Sequence, residues 1–248
     1  MILMYHHVAP PEAVPPRQDA NEGWEFRHSP EGFERQLTEL RRRGYRFVGL
    51  ADIVEAIHRD GVEYRNAVAV TFDDGWVDNY LFALPVLKRL VIPATFFVTS
   101  SHLWKGTQDE KRMGLTHFKE LLDAGMSIGG HSRSHPDLTN LAAEQAQEEI
   151  AGCKSDLEKA LGVPIQFFAY PGGAFNRRVA HLTKEAGYAA ACCVLGPSRN
   201  DSSSLFWLYR DVLSKTMQTW HDRYRLSPPA RRLFSFRVTR KLASALNR

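Results

Sequence analysis

The chain has 248 residues, of which 44% are hydrophobic and 24% charged. That balance excludes a collagen, a bulk-disordered chain and a small disulfide scaffold. The net charge of +4 is unevenly spread, with residues 205–248 carrying +8 and the remainder −4, so the positive excess does not mark the body as a nucleic-acid binder.

No apolar run approaches the roughly 18 residues of a membrane-spanning helix. The first residues, Met1 to His7, lack a basic start and a small-residue cleavage site. They read as a first strand rather than a signal peptide, which makes the cytoplasm the expected location. Cys153, Cys192 and Cys193 are odd in number and form no CxxC, which argues against both a disulfide framework and a thiolate metal site.

In chain order, residues 2–8 form the first strand candidate, followed by a loop holding Pro10, Pro11, Pro15 and Pro16. Ser29 and Pro30 predict a helix start, Phe33, Leu37 and Leu40 its apolar face, and Gly44 its end. Residues 46–50 suggest a short strand, and Ile53 and Ile57 a short helix. Residues 67–72 read as a buried strand. Pro85 predicts a kink or late start in the helical stretch 77–90. A strand over 94–98 follows. Thr116 is the expected cap of a helix bearing Phe118, Leu121 and Leu122, closed by Gly125. After a strand over 126–129, the longest helix is expected from about Asn140 to Leu161, ended by Gly162 and Pro164. Residues 166–170, 188–194 and 206–212 complete the strands, and Asn176 caps a helix running to Ala186.

Strands alternating with helices predict a mostly parallel sheet covered by helices. Seven or so strands favour an α/β fold of the distorted (β/α) barrel type. Residues 1–220 form the expected catalytic domain, and 221–248 a basic helical extension.

Reactive groups in such folds gather where strands end and loops begin. Three strand ends carry candidates. Thr71-Phe72-Asp73-Asp74-Gly75 offers two carboxylates that can share a site only if the strand stops there. Taken alone it reads rather as an exposed acidic turn. Gly129-Gly130-His131-Ser132-Arg133-Ser134-His135-Pro136 offers two imidazoles four residues apart, a spacing that can meet one ion, each needing an acceptor for its second ring N–H. Phe167-Phe168-Ala169-Tyr170-Pro171-Gly172-Gly173 ends in glycines whose N–H groups can approach a ligand, or is a plain strand-to-helix turn.

In this order, TFDDG, HSxxH and F-x-Y-P-G resemble the polysaccharide deacetylases, the NodB-homology carbohydrate esterases of family 4. The start Met4-Tyr5-His6-His7-Val8 resembles the N-terminal YH strand of the poly-N-acetylglucosamine deacetylase branch. The resemblance implies that Asp74, His131 and His135 hold a divalent metal, zinc by default, with cobalt, nickel or manganese also suited. It further implies that Asp73 is the general base and that His6 is the general acid, with His7 the competing choice. The implied reaction is hydrolysis of N-acetyl groups on an amino-sugar glycan, the oxyanion held by the metal and a backbone N–H near Gly172. Tyr170 is expected to line the pocket. The arginine common in the third motif is missing, with Ala169 in its neighbourhood, and Arg210 is the candidate substitute. Gly172 stands where an aromatic is common, and Trp76 is the candidate sugar-stacking wall, or else a core side chain. O-acetyl esters, cyclic amides and glycan binding without catalysis are the rival readings.

In the extension, Arg223, Arg225, Arg231, Arg232, Arg237, Arg240 and Lys241 alternate with Leu233, Phe234, Phe236, Val238 and Leu242. That pattern suits peripheral contact with anionic lipid, and with it a lipid-linked saccharide at the inner membrane face, or else a solvated helix. No nucleic-acid motif accompanies the charge. The sequence leaves the sugar and the oligomeric state open.

Overall fold

The structure is a computed structural model that describes residues 1–13, 26–59, 66–103, 111–194 and 200–212. The extension at 221–248, and with it the division at residue 220, lies outside the described residues. So does much of the proline-rich loop.

Eight strands are described: β1 Ile2–Tyr5, β2 Arg46–Phe47, β3 Ala67–Phe72, β4 Ala94–Val98, β5 Ser127–Gly130, β6 Phe167–Ala169, β7 Ala190–Cys192 and β8 Asp211–Val212. All pair in parallel, in the order β7-β6-β5-β4-β3-β1-β8, with β2 against the start of β3. The sheet curls until its last segment reaches both ends. Asp211 and Val212 pair with Leu3 and Met4 of β1, while Leu208 bridges Cys192 of β7. The expected distorted barrel of about seven strands is the fold observed.

Six α-helices among the described residues cover the sheet: α1 Pro30–Arg42, α2 Leu50–His58, α3 Leu84–Leu90, α4 Leu115–Asp123, α5 Ala143–Leu161 and α6 Arg177–Glu185. Their starts follow from local chemistry. Ser29 Oγ accepts the Gly32 N–H at the head of α1, and Asn176 Oδ1 accepts the Val179 N–H at the head of α6. Pro85 falls in the first turn of α3, where its missing N–H costs nothing, and a π-helical turn over Asn79–Ala83 absorbs the irregularity before it. Two expected starts move. Gly114, not Thr116, precedes α4, its N–H held by His117 Nδ1. Asn140 belongs to a short 3-10 turn, and α5 begins at Ala143. The strands are shorter than the apolar runs suggest, because residues such as Val8 and Tyr188 leave the ladder while staying in the packed core.

Side-chain alternation sorts the strands into two apolar layers. Val68, Val70 and Phe72 of β3 face outward to the helices, together with Leu3, Tyr5, Phe168, Phe33 and Leu37. Ala67 and Ala69 face inward with Ile2, Phe97, Phe167, Ala169 and Leu208, and α2 adds Leu50, Ile53 and Val54. Covering one such Leu, Ile or Phe side chain is worth roughly 1.5–3 kcal/mol. The parity also aims the residues just past each strand. Asp73 continues the inner row of β3, and His6 the inner row of β1. No helix among the described residues is long and apolar enough to cross a membrane.

Candidate metal and catalytic site

The site lies where β1, β3, β5 and β6 end. β3 stops at Phe72, and Asp74 and Gly75 turn the chain at φ 70° and 66°. A non-glycine residue at positive φ is uncommon, and here it swings Asp74 out of the inner row that Asp73 keeps. The two carboxylates therefore serve one site from different directions.

Asp74 Oδ1 lies 3.3 Å from His131 Nε2 and 3.2 Å from His135 Nε2. The three donor atoms lie within 4.8 Å of one another. Bonds of about 2.0–2.2 Å to a tetrahedral ion place its donors roughly 3.3–3.6 Å apart, close to both Asp74–imidazole distances, so this set fits a divalent cation and leaves positions open. His131 is buried, and its Nδ1 donates to the Ala169 carbonyl at 2.7 Å, which fixes the tautomer with Nε2 toward Asp74. His135 is partly exposed, with its side chain 44% accessible. Its loop is pinned at both flanks. Ser132 and His135 take positive φ of 63° and 65°, and Ser132 Oγ accepts the His135 N–H. The Ser132 and Arg133 carbonyls accept N–H groups of Ser100 and Ser101. Arg133 grips Asp156 of α5 with Nε and Nη2 at 2.8 and 2.9 Å.

Asp73 is buried and held by Arg210 in a two-pronged contact, Nη1 to Oδ1 at 2.6 Å and Nη2 to Oδ2 at 2.7 Å. Arg210 reaches across the barrel interior and also donates to Thr71 Oγ1 and the Cys193 carbonyl. The substitute arginine anticipated from the sequence thus meets Asp73. Burial pushes the Asp73 carboxyl up, but the charges of Arg210 and His131 and the hydrogen bonds from Arg210 together outweigh it and leave the group below its ordinary value. Burial likewise works against ionised Asp74, and hydrogen bonds from His131 and His135 overcome it, holding the group well below the usual range. His131 moves the other way: burial lowers it, yet the bond to Asp74 and the charges of Asp73 and Asp74 raise it overall. A cation would displace the protons these imidazoles hold.

His6 is half-buried and its Nδ1 is covered with no hydrogen-bond partner among the described residues. Burial lowers its pKa, against the upward pull of Asp74 and then Asp73. His7 is fully buried, its Nδ1 donating to Asp78 Oδ2 at 2.5 Å. Parity separates the pair, placing His6 toward the two aspartates and His7 in the outer layer.

Two expectations are corrected. Tyr170 does not line an open pocket. It follows Phe168 into the outer layer, its ring stacks on Phe175, and its hydroxyl donates to the Phe206 carbonyl. Trp76 does not offer a wall for a sugar. It is 2% exposed, and its Nε1–H donates to Asp74 Oδ2 at 3.2 Å. Gly172 is exposed at φ 61°, with open space where a side chain would project and no partner for its N–H among the described residues. The sequence reading missed Asp78, Arg112 and Phe26. Asp78 and Asn79 tie the end of β1 to the turn after β3, Asn79 Nδ2 donating to the His6 carbonyl. Phe26 lies 5.5 Å from the His6 ring, centre to centre. Asp78 stands four residues after Asp74, a spacing that could have flagged it; Arg112 and Phe26 carry no such signal.

Comparison with known proteins agrees with this geometry. The family model for polysaccharide deacetylase matches residues 60–191. Peptidoglycan-N-acetylmuramic acid deacetylase PdaA of Bacillus subtilis is 31% identical over 191 residues, 75% of this chain, which spans 65% of that protein's length. The Streptococcus pyogenes deacetylase PplD, solved in complex with acetate, superposes with a TM-score of 0.76 at 26% identity, covering 87% of this chain and 92% of that one. IcaB from Ammonifex degensii shares the fold, with a TM-score of 0.75 at 22% identity and coverage of 91% and 96%. Strand-end carboxylates and histidines on this sheet, together with a match across more than half of the sequence, place the chain in the polysaccharide deacetylase family.

Proposed function

We propose that the chain hydrolyses N-acetyl groups of an amino-sugar glycan, releasing acetate and leaving a free amine. The observation that carries this reading is the convergence of Asp74, His131 and His135 beside an independently held Asp73. Bound at the Asp74 oxygen and the two imidazoles, a divalent cation, zinc from its fit to this donor set, would polarise the acetyl carbonyl and acidify water.

The chain's own groups divide the remaining work. Asp73, kept ionised by Arg210, takes a proton from the attacking water. Its place on the inner row aims it across the barrel mouth, and Arg210 stops the carboxylate rotating. His6 gives a proton to the departing nitrogen as the carbon–nitrogen bond breaks. The Gly172 N–H, open on an exposed turn, is the donor for the developing oxyanion. Gly172 leaves that side of the site unwalled, which suits a chain-like glycan better than an enclosed small molecule.

Peptidoglycan and a lipid-linked saccharide are the polymer classes we favour. The PdaA relative acts on the first, and the basic, apolar-interleaved residues 221–248 suit contact with an anionic membrane carrying the second. The test is acetate release by zinc-loaded protein from N-acetylated oligosaccharides, peptidoglycan fragments and acetyl esters in parallel. Release from the amides, abolished by chelation, is the expected result. Hydrolysis of the esters alone, or glycan binding without turnover, would defeat the reading.

A further inference from the structure

The first contact of interest joins Asp74 to a residue two positions on. Trp76 Nε1–H donates to Asp74 Oδ2, the oxygen that does not face the histidines. The indole is clamped by two side chains. The His7 ring lies 4.4 Å away, tilted 39°, and the Arg112 guanidinium carbon sits 3.3 Å from the ring centre. Each clamp is itself fixed. His7 is tied to Asp78, and Arg112 Nη1 donates to the Asp74 backbone carbonyl at 2.6 Å. The segment carrying Arg112 is laced to the turn by Val77 N–H to the Lys111 carbonyl and Met113 N–H to the Gly75 carbonyl. Three stretches distant in sequence, near residues 7, 76 and 112, thus converge on one carboxylate.

A free carboxylate can rotate and offer a cation either oxygen or both. Here one oxygen is spoken for by a buried, immobile donor. We propose that Trp76 is a positioning residue for Asp74, holding Oδ2 so that Oδ1 alone is presented between His131 and His135, with His7 and Arg112 as the walls that keep the indole in plane. The inference rests on the cation site described under Proposed function and adds what makes that site monodentate. Trp76 touches neither glycan nor cation in this role.

The test is zinc titration of the metal-free full-length chain by calorimetry, comparing wild type with Trp76→Phe, which keeps an aromatic ring and loses the N–H. Loss of an outer hydrogen-bond partner of a metal ligand costs about 10–100-fold in affinity, and a weakening in that range is the expected result. Equal affinity of the two proteins would overturn this inference alone. No zinc binding by the wild type would overturn it together with the cation site. A second measurement needs no variant: with tryptophan indole nitrogens labelled in the wild-type chain, zinc should shift an exchange-protected indole N–H resonance. If no indole resonance responds while zinc binds, the role assigned to Trp76 is wrong.

Discussion

On the inner side of the site, Asp73 continues the alternation of β3 and meets a single cation, Arg210, through both oxygens. On the outer side, Asp74 leaves that alternation at φ 70° and meets two imidazoles through one oxygen and an indole through the other. Two identical residues, adjacent in the chain, are thereby given different chemistry by one backbone turn. The inner carboxylate has its charge balanced within the protein and both oxygens oriented, the condition of a base that must stay ionised. The outer one has its negative charge directed at a point shared with two nitrogen donors, the condition of a ligand. Close carboxylates repel unless each has its own counter-charge; Arg210 supplies one for Asp73, while Asp74 faces the imidazoles of His131 and His135.

The strongest way to break this division is to remove a ligand. Asp74→Ala and His131→Ala should each lose bound zinc and lower acetate release by about 10³-fold or more, because a cation contributes several kcal/mol to such a step. Chelation of the wild type should do the same, with metal content measured alongside turnover. Zinc retained by Asp74→Ala would mean the outer carboxylate is not a ligand. Next in size is Asp73→Asn, which should keep zinc and lose about 10²–10⁴-fold in turnover. A variant that loses both, or neither, would erase the distinction between the two aspartates.

A third measurement addresses stability. Arg210→Met leaves a buried carboxylate without its partner, a change that costs about 3–5 kcal/mol and corresponds to a fall of roughly 10 °C in Tm for a domain of this size. Arg210→Lys keeps the charge but not the planar fork, so it should fall between Met and wild type. Zinc affinity should change far less than stability in both variants. If zinc affinity fell as steeply as Tm, the inner and outer sides would be one coupled unit.

Much of this was legible from residues alone, for physical reasons. The outer row Val68, Val70, Phe72 announces a buried strand, and the carboxylates and glycine after it announce where it stops. The parity of β1 separates His6 from His7 once the inner row is known. The same parity, applied to Phe168 and Tyr170, would have moved Tyr170 out of the pocket. Arg210 was within reach because a missing cation must be replaced by another when a carboxylate is buried. Trp76 was not settled by pattern, since a tryptophan after a turn packs or stacks with equal ease until its N–H finds a partner. Arg112 and Phe26 arrive through long-range packing across loops, which leaves no periodic trace. Gly114 displaced Thr116 as the residue preceding α4, and the His117 side chain three residues on accepts the Gly114 N–H, an arrangement that no capping hydroxyl announces in the sequence.

The smallest expected effect tests how far the outer side depends on its loop. Asp156 accepts from Arg133 Nε and Nη2 and from Ser100 Oγ, joining α5 to the loop between His131 and His135 and to the turn after β4. The Arg133 and Asp156 side chains are about one-third accessible, 34% and 30%, so water screens their attraction and Asp156→Asn should cost only about 0.5–1 kcal/mol. Zinc affinity should weaken by about twofold to fivefold if all of that cost falls on the loop, while turnover at saturating zinc stays near wild type. Burial raises the Asp156 carboxyl, but hydrogen bonds from Arg133 and then Ser100 leave it below its ordinary value. Its contribution to stability is therefore complete above the ordinary aspartate range near pH 4 and is lost as pH falls through the lower folded-state value. Thermal unfolding followed from about pH 6 to pH 3 should show a shallower acid decline for Asp156→Asn than for wild type. An equally steep decline would remove Asp156 from the account, and a drop in turnover at saturating zinc would show that the outer loop reaches the inner base after all.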